Sequence, residues 1–222
     1  MKLIFRLIAF FGASISTQAQ QISTREISSN IRFNKQIEEF NNGTEKIRYA
    51  DIKGIPYYYP EFINAKIGDT KTSAPIRYNS FLDTIELINN EDVYQLPKEE
   101  SNPSFTLETT KEKLVYVKTE DLYSGYFFEL NEGKFRILKK IITKYQAATP
   151  PPNPMIAGNP AIFMPQKPIY FIKGENIFLK INNSKELAEK FPEKKISEFI
   201  SKNKIKLSRE ADLIQLGNFL NQ

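Results

Sequence analysis

The chain contains no cysteine and no histidine. Without cysteine there is no disulfide, no thiolate nucleophile and no lipid attachment at a cysteine, so stability has to come from packing. Without histidine, the commonest general base and the commonest metal ligand are both missing. Serine triads built on histidine, His-based zinc sites and thiol chemistry are excluded. Tryptophan is absent too, which weakens any sugar-stacking role. The sequence holds no glycine-rich phosphate loop and no oxygen-rich cation loop. Nothing present implies a cofactor or a metal.

What is present is enough for a folded domain. With 222 residues, 41% of them hydrophobic, the chain can build one sizeable core, and 13 prolines leave room for long loops. Residues 1–19 have the pattern of a secretory signal peptide: Lys2 and Arg6 are basic, Leu7 to Ile15 is apolar, and Thr17-Gln18-Ala19 offers small residues for cleavage. Cleavage after Ala19 makes Gln20 the new N-terminus and a periplasmic or extracellular location the expectation. The apolar run is short of the roughly 20 residues that span a bilayer, and no later stretch is longer, so no transmembrane span is expected after removal of the leader. The net charge of +5 falls to +3 when Lys2 and Arg6 leave, 29 basic residues then facing 26 acidic ones. That balance suits weak attraction to anionic envelope components, and it lacks the concentrated basic stripe that nucleic-acid binding requires.

The stretch from Gly125 to Tyr145 reads as a β-hairpin. Tyr126, Phe128 and Leu130 alternate with Phe127, Glu129 and Asn131, Asn131-Glu132-Gly133 supplies a turn, and Phe135, Ile137, Ile141 and Tyr145 share a face of the return strand. Phe128, Leu130, Phe135, Ile137 and Ile141 are expected to be buried together, with Lys134, Arg136, Lys140 and Lys144 toward water. Lys139 interrupts the apolar face, which predicts a bulge or a strand end near Lys139-Lys140. Further strands are expected at 63–67, 74–79, 84–88, 104–108, 114–118, 169–172 and 177–181, with a turn at 80–83 and a break at Asn89 to Asp92. Phe33, Ile37 and Phe40 fit one face of a short helix ending at Asn41-Asn42-Gly43. Seven prolines between Ala147 and Pro168 argue against regular structure there and for a long loop lying on the sheet.

The tail is expected to be helical. Asn183 stands three residues before Glu186 as a capping pattern, Leu187 and Phe191 are the expected buried pair, and Ile196, Phe199 and Ile200 form an i, i+3, i+4 stripe. Leu213, Leu216 and Leu220 form another after Ser208 as the expected cap. The fold class is therefore α+β: a mainly antiparallel β meander with a C-terminal segment of short helices. The organisation reads as leader 1–19, polar N-terminal arm 20–46, β domain 47–182 with its Pro-rich loop 147–168, and helical segment 183–222 packed on the β domain.

Gly54-x-Pro56-Tyr57 followed by Glu61-Phe62, Arg77-Tyr78-Asn79 with Glu86 downstream, the Pro-rich loop before Ile169-Tyr170-Phe171, and the closing Glu210-Ala211-Asp212-Leu213-Ile214 recur in that order. In this the chain resembles a set of small secreted proteins of uncharacterised function common in Bacteroidetes. The resemblance spans most of the mature chain and implies export, with no activity or catalytic residue to carry over.

The candidate binding residues are Tyr57, Tyr58, Tyr59, Phe62, Arg77 and Tyr78. Three tyrosines between Pro56 and Pro60 can form a stacking platform, or a proline-held turn that plugs one end of the sheet. Arg77 with Tyr78 and Asn79 can present planar donors to a carboxylate or phosphate, or can cover its strand neighbours with its stem. The acidic pairs Glu91-Asp92, Glu99-Glu100 and Glu120-Asp121 fall in expected turns, where solvated charge is ordinary. The sequence thus weighs against an enzyme and toward an exported binding or interaction module whose partner is a protein or another envelope component. The alternatives are a carboxylate-dependent hydrolase and a structural assembly subunit.

Overall fold

The chain, in a computed structural model, is an α+β fold built on a ten-stranded antiparallel sheet with three helices at its C-terminal end. The structure describes residues 39–42, 45–49, 52–90, 92–151, 153, 155 and 157–222. The expected leader and most of the expected polar arm, including Phe33 and Ile37, lie outside them. The described part of the expected N-terminal helix is a strand: β1 (Glu39–Asn42) pairs antiparallel with β2 (Glu45–Arg48), so Phe40 stands opposite Ile47.

The large sheet takes β3 (Ile63–Ile67), β4 (Ser73–Asn79), β5 (Thr84–Asn89), β6 (Asp92–Gln95), β7 (Phe105–Leu107), β8 (Lys113–Val117), β9 (Gly125–Glu129), β10 (Arg136–Lys140), β13 (Ile169–Lys173) and β14 (Phe178–Lys180), after the intervening ribbon of β11 (Thr143–Gln146) and β12 (Ile162–Pro165). Its order is β14-β13-β10-β9-β8-β7-β3-β4-β5-β6. Two meanders, β3 to β6 and β7 to β10, are joined where β7 returns to pair with β3. β5 ends at Asn89, where a break after the strand pair is expected, and the chain turns there into a further hairpin with β6, Asn89 standing opposite Asp92 and Asn90 at φ +57°.

The sheet curls strongly. On a flat sheet the four strand spacings from β4 to β9, about 4.8 Å each, would hold them roughly 19 Å apart. Yet the ring of Tyr78 on β4 lies 6.4 Å from that of Tyr126 and 5.9 Å from that of Phe128, both on β9. The concave face is filled by alternating inward residues, among them Ala65, Ile76, Ile85, Phe105, Leu114 and Phe128, while Lys66 and Ser73 face out. Period-two patterning is enough to produce such a face, because strand side chains alternate.

The hairpin at 125–145 differs from its sequence reading in one respect. Both of its faces are buried, and its apolar residues divide among three clusters. Phe128 and Ile141 belong to the concave core, and Ile137 packs under the helices with Leu130 and Phe135 half-buried beside it. Phe127 and Leu138 join Val115, Val117 and Phe171 on the convex face. The physical reason is cover on both sides: the C-terminal helices lie over the Ile137 side, and Tyr123, Ile169 and Phe178 pack against the Phe127–Leu138 side. Lys140, expected to face solvent, is buried with Lys139. The expected strand end is present, since β10 stops at Lys140.

The helices α1 (Ser184–Lys190), α2 (Ile196–Asn203) and α3 (Glu210–Leu220) cover β10, β13 and β14 through Leu187, Phe191, Ile196, Leu213, Leu216 and Leu220. Asn183 caps α1 by accepting from the Glu186 N–H at 2.9 Å. The residue capping α3 is Arg209 and not Ser208, and it gives no side-chain hydrogen bond. The end of α3 also holds the hairpin turn. Asn221 Oδ1 accepts from the Phe135 N–H at 2.8 Å, and its Nδ2 donates to the carbonyls of Glu132 and Phe135.

The Pro-rich segment is more regular than its composition suggests. β12 lies inside it and pairs with β11, Tyr145 standing opposite Phe163, and a bridge from Thr149 to Asn159 extends the ribbon. Only Pro165 falls within β12, at its last position, so the strand keeps its donors: its other edge is bonded to Lys53, the Phe163 N–H donating to the Lys53 carbonyl and the Lys53 N–H to the Ala161 carbonyl. Phe163 and Ala161 bury against Ile52.

Gly125 marks how tightly the curl closes. At φ +149° it holds a conformation that disfavours a side chain, and a Cβ there would fall onto the Asp83 carboxylate. Gly125→Ala is expected to lower stability by about 2 kcal/mol or more, as backbone strain and the clash add, measured by urea unfolding; a change within about 0.5 kcal/mol, the scale of an ordinary surface substitution, would show that β9 and the β4–β5 turn are not in contact.

Candidate functional site

The segment 56–62 runs beside β4, bridged at Tyr57 to Asn79, and the six candidate residues fall into separate clusters around it. Pro56 and Pro60 fix its direction, and the Pro56 carbonyl accepts from both the N–H (2.8 Å) and the hydroxyl (3.0 Å) of Ser80. The Tyr58 N–H donates to the Tyr78 carbonyl at 3.0 Å. Two clusters result, one on each side of this tether.

In the first, the Arg77 guanidinium lies 3.6 Å from the centre of the Tyr57 ring and 4.4 Å from that of Phe62. Its Nη2 and Nε donate to Glu86 Oε2 at 2.7 and 3.1 Å, and Nη1 donates to the Pro60 carbonyl at 3.3 Å. Glu86 is wholly buried and also accepts from Asn79 Nδ2 at 3.2 Å. A planar cation between two rings and bound to one carboxylate is a geometry that only arginine provides. Its donors are turned inward.

In the second, the Tyr58 and Tyr59 hydroxyls donate to the two oxygens of Glu112 at 3.1 and 2.7 Å. Lys139 Nζ reaches Glu112 Oε1 at 3.1 Å and Glu210 Oε1 at 3.3 Å, and lies 4.9 Å from the centre of the Phe128 ring. The Tyr170 hydroxyl donates to Glu210 at 3.3 Å. Burial, and then the Glu112 carboxylate, push the Tyr58 hydroxyl up to about 12 and raise that of Tyr59. Burial alone would raise the Glu112 carboxyl, but hydrogen bonds from Tyr59 and Lys139 outweigh it and hold the group below its ordinary range. The gap enclosed by Tyr58, Tyr59, Arg77, Tyr78 and Phe128 is about 10 Å³, too small for a ligand. The arrangement can clasp the segment 56–62 to the sheet and to α3; it has no room for a reacting molecule.

Tyr78 is buried and donates to Asp83 Oδ1 at 2.7 Å. Asp83 in turn pairs with Lys140 Nζ at 2.8 Å, and Lys140 donates to the Tyr126 carbonyl at 2.9 Å with its ammonium 4.6 Å from the Phe127 ring centre. Burial pulls the Lys140 ammonium below its ordinary value. Glu112, Lys139, Lys140 and Asp83 were not singled out as site residues by sequence reasoning. The one signal for them was Lys139 itself, the cation that breaks an apolar face.

The exposed acids Glu99, Glu100, Glu120 and Asp121 stand in turns, and Asp121 holds its own turn by accepting from the Thr119 hydroxyl and the Tyr123 N–H. Among the described residues no group of three or more acidic side chains is placed to hold a metal ion, and no helix is long and apolar enough to cross a membrane. No known protein family, curated protein or solved structure matches the chain.

Glu112 gives the clasp a defined pH dependence. Because its carboxyl is held below the ordinary 4.5, its contribution to stability is complete above that value and is lost as pH falls through the lowered one. Glu112→Gln is therefore expected to cost about 2 kcal/mol at neutral pH, the scale of a charge-assisted hydrogen bond, with the gap to wild type narrowing below pH 4.5. Denaturant unfolding across pH checks this; a gap constant down to the acid limb would mean that Glu112 is not held as an anion.

Proposed function

We propose that the protein is an exported, non-enzymatic binding module of the cell envelope, and that a partner protein contacts the tip of the β11–β12 ribbon. The reading of export rests on the pattern of residues 1–19. The reading of binding rests on one observation: Met155, at the tip of a ribbon whose base is anchored by buried Phe163, is 97% exposed. An unbranched thioether adapts to irregular apolar contacts, and prolines on either side of the tip limit the backbone freedom that would be lost on binding. Binding residues also concentrate on loops carried by a rigid scaffold.

Two further observations favour this reading over a carboxylate hydrolase. Asp83, Glu86, Glu112, Glu129 and Asp212, the acids drawn wholly or partly into the interior, each lie within 3.9 Å of a lysine or arginine nitrogen. In the aromatic segment 56–62 the Tyr58 and Tyr59 hydroxyls and the Arg77 donors are engaged internally, and Met155 is the most exposed of the large apolar side chains among the described residues. A photoreactive benzophenone residue in place of Met155, in protein exported by living cells, is expected to yield one discrete crosslinked species that is absent when the same residue replaces exposed Lys66. Identical crosslinking at both positions, or turnover of a glycan or peptide substrate by the purified protein, would overturn the proposal.

A further inference from the structure

The sheet ends in an open strand, and the groove beside that strand is basic. β14 is bonded to β13 on one side only. The Ile181 N–H donates to the Tyr170 carbonyl and the Gly174 N–H to the Ile177 carbonyl, both at 2.8 Å. With Ile172 opposite Leu179, the alternation of an antiparallel ladder makes Tyr170/Ile181, Ile172/Leu179 and Gly174/Ile177 the hydrogen-bonded pairs. Phe178 and Lys180 therefore turn their N–H and C=O groups outward, and no described residue meets them there.

At the Lys180 end of this edge lies a concavity of about 570 Å³. Ile169, Ile181 and Leu207 give it an apolar floor, and Lys180, Lys206 and Ser208 line its rim. No carboxylate lines it. Neither Lys180 nor Lys206 is in an ion pair with a described residue, although Lys180 Nζ lies 5.9 Å from the Tyr123 ring centre. Lys206 is exposed and is held in place through its N–H, which donates to Asp212 Oδ2 at 2.8 Å.

We propose that β14 and this groove accept an extended, acidic segment of a partner protein by strand addition. The edge supplies four backbone groups in strand register, the two lysines supply a charge that only an anionic partner balances, and the floor receives an apolar side chain. Main-chain pairing then gives affinity and the flanking lysines give selectivity. This surface is separate from the ribbon tip and stands or falls without it.

The test uses the mature protein and a fluorescein-labelled octapeptide alternating glutamate and threonine, followed by fluorescence anisotropy. Saturable binding that weakens as salt rises is expected. Lys180→Glu with Lys206→Glu is expected to weaken it about tenfold or more, as like charges are brought together across the edge. Lys66→Glu with Lys111→Glu, the same charge change at exposed sites in a different concavity, is expected to leave it unchanged. The peptide N-methylated at every residue is expected to bind more weakly, because neither of its edges can then complete the ladder. If the double Glu variant melts early, Lys180→Gln with Lys206→Gln supplies the comparison. Absence of saturable binding, equal loss in both charge-reversed pairs, undiminished binding of the N-methylated peptide, or binding to phosphatidylglycerol vesicles in place of the peptide would each overturn the proposal.

Discussion

Two adjacent ammonium groups buried at the end of one strand constrain this fold more than any other feature. Taking a lysine out of water costs several kcal/mol unless carboxylates and carbonyls replace the solvent. Lys139 and Lys140 are only 3% and 4% exposed. Their side chains leave β10 toward different surroundings, Lys139 over the Phe128 ring and Lys140 over the Phe127 ring. Lys139 requires Glu112 from the connection between β7 and β8 and Glu210 from the first turn of α3. Lys140 requires Asp83, from the turn between β4 and β5. Segments distant in the chain must be in place before either charge is compensated, and the strong curl of the sheet is the geometry that brings them there.

The same constraint orders the functional argument. Tyrosines, an arginine and carboxylates gathered around the segment 56–62 have the composition of a ligand site, yet here they complete one another. Tyr58 and Tyr59 share Glu112, and Arg77 fills the space between Tyr57 and Phe62. A cluster that satisfies itself fixes the scaffold, and the proposed binding therefore rests on the periphery. At the periphery the molecule offers an apolar tip on an anchored ribbon and an open strand edge beside unpaired lysines.

Much of the architecture was legible in the sequence because it is written in period-two and period-3.6 patterning. The strands at Ile63–Ile67 and Thr84–Asn89, the second hairpin at 169–181, the Asn183 cap and the buried Leu213, Leu216 and Leu220 all follow from local alternation or capping. What local pattern does not carry is which strand lies in the middle. Phe127 and Leu138 look like residues of a second, wetter face until β13 and the curl are known to cover them. Proline count misled at β12, because composition reports how many prolines a segment holds and not where in the strand they fall. Asp83 reaches Tyr78 from five positions away, whereas Glu112 joins Tyr58 and Tyr59 across 54 and 53 positions and Lys139 joins Tyr58 across 81. No sequence window contains that information.

The Lys140–Asp83 pair is the pin that holds the curl, and a double-mutant cycle in denaturant unfolding tests it directly. Lys140 is the more buried partner, its side chain 5% exposed against 18% for Asp83. Asp83→Asn, which strands a buried ammonium, is therefore predicted to cost about 3 kcal/mol or more. Lys140→Met, which leaves a carboxylate with some access to water, is predicted to cost less. The double variant is predicted to recover most of the loss, since replacing both partners leaves no unbalanced charge. Two small single effects, or a double variant equal to the sum of the singles, would contradict the central place given to this pair.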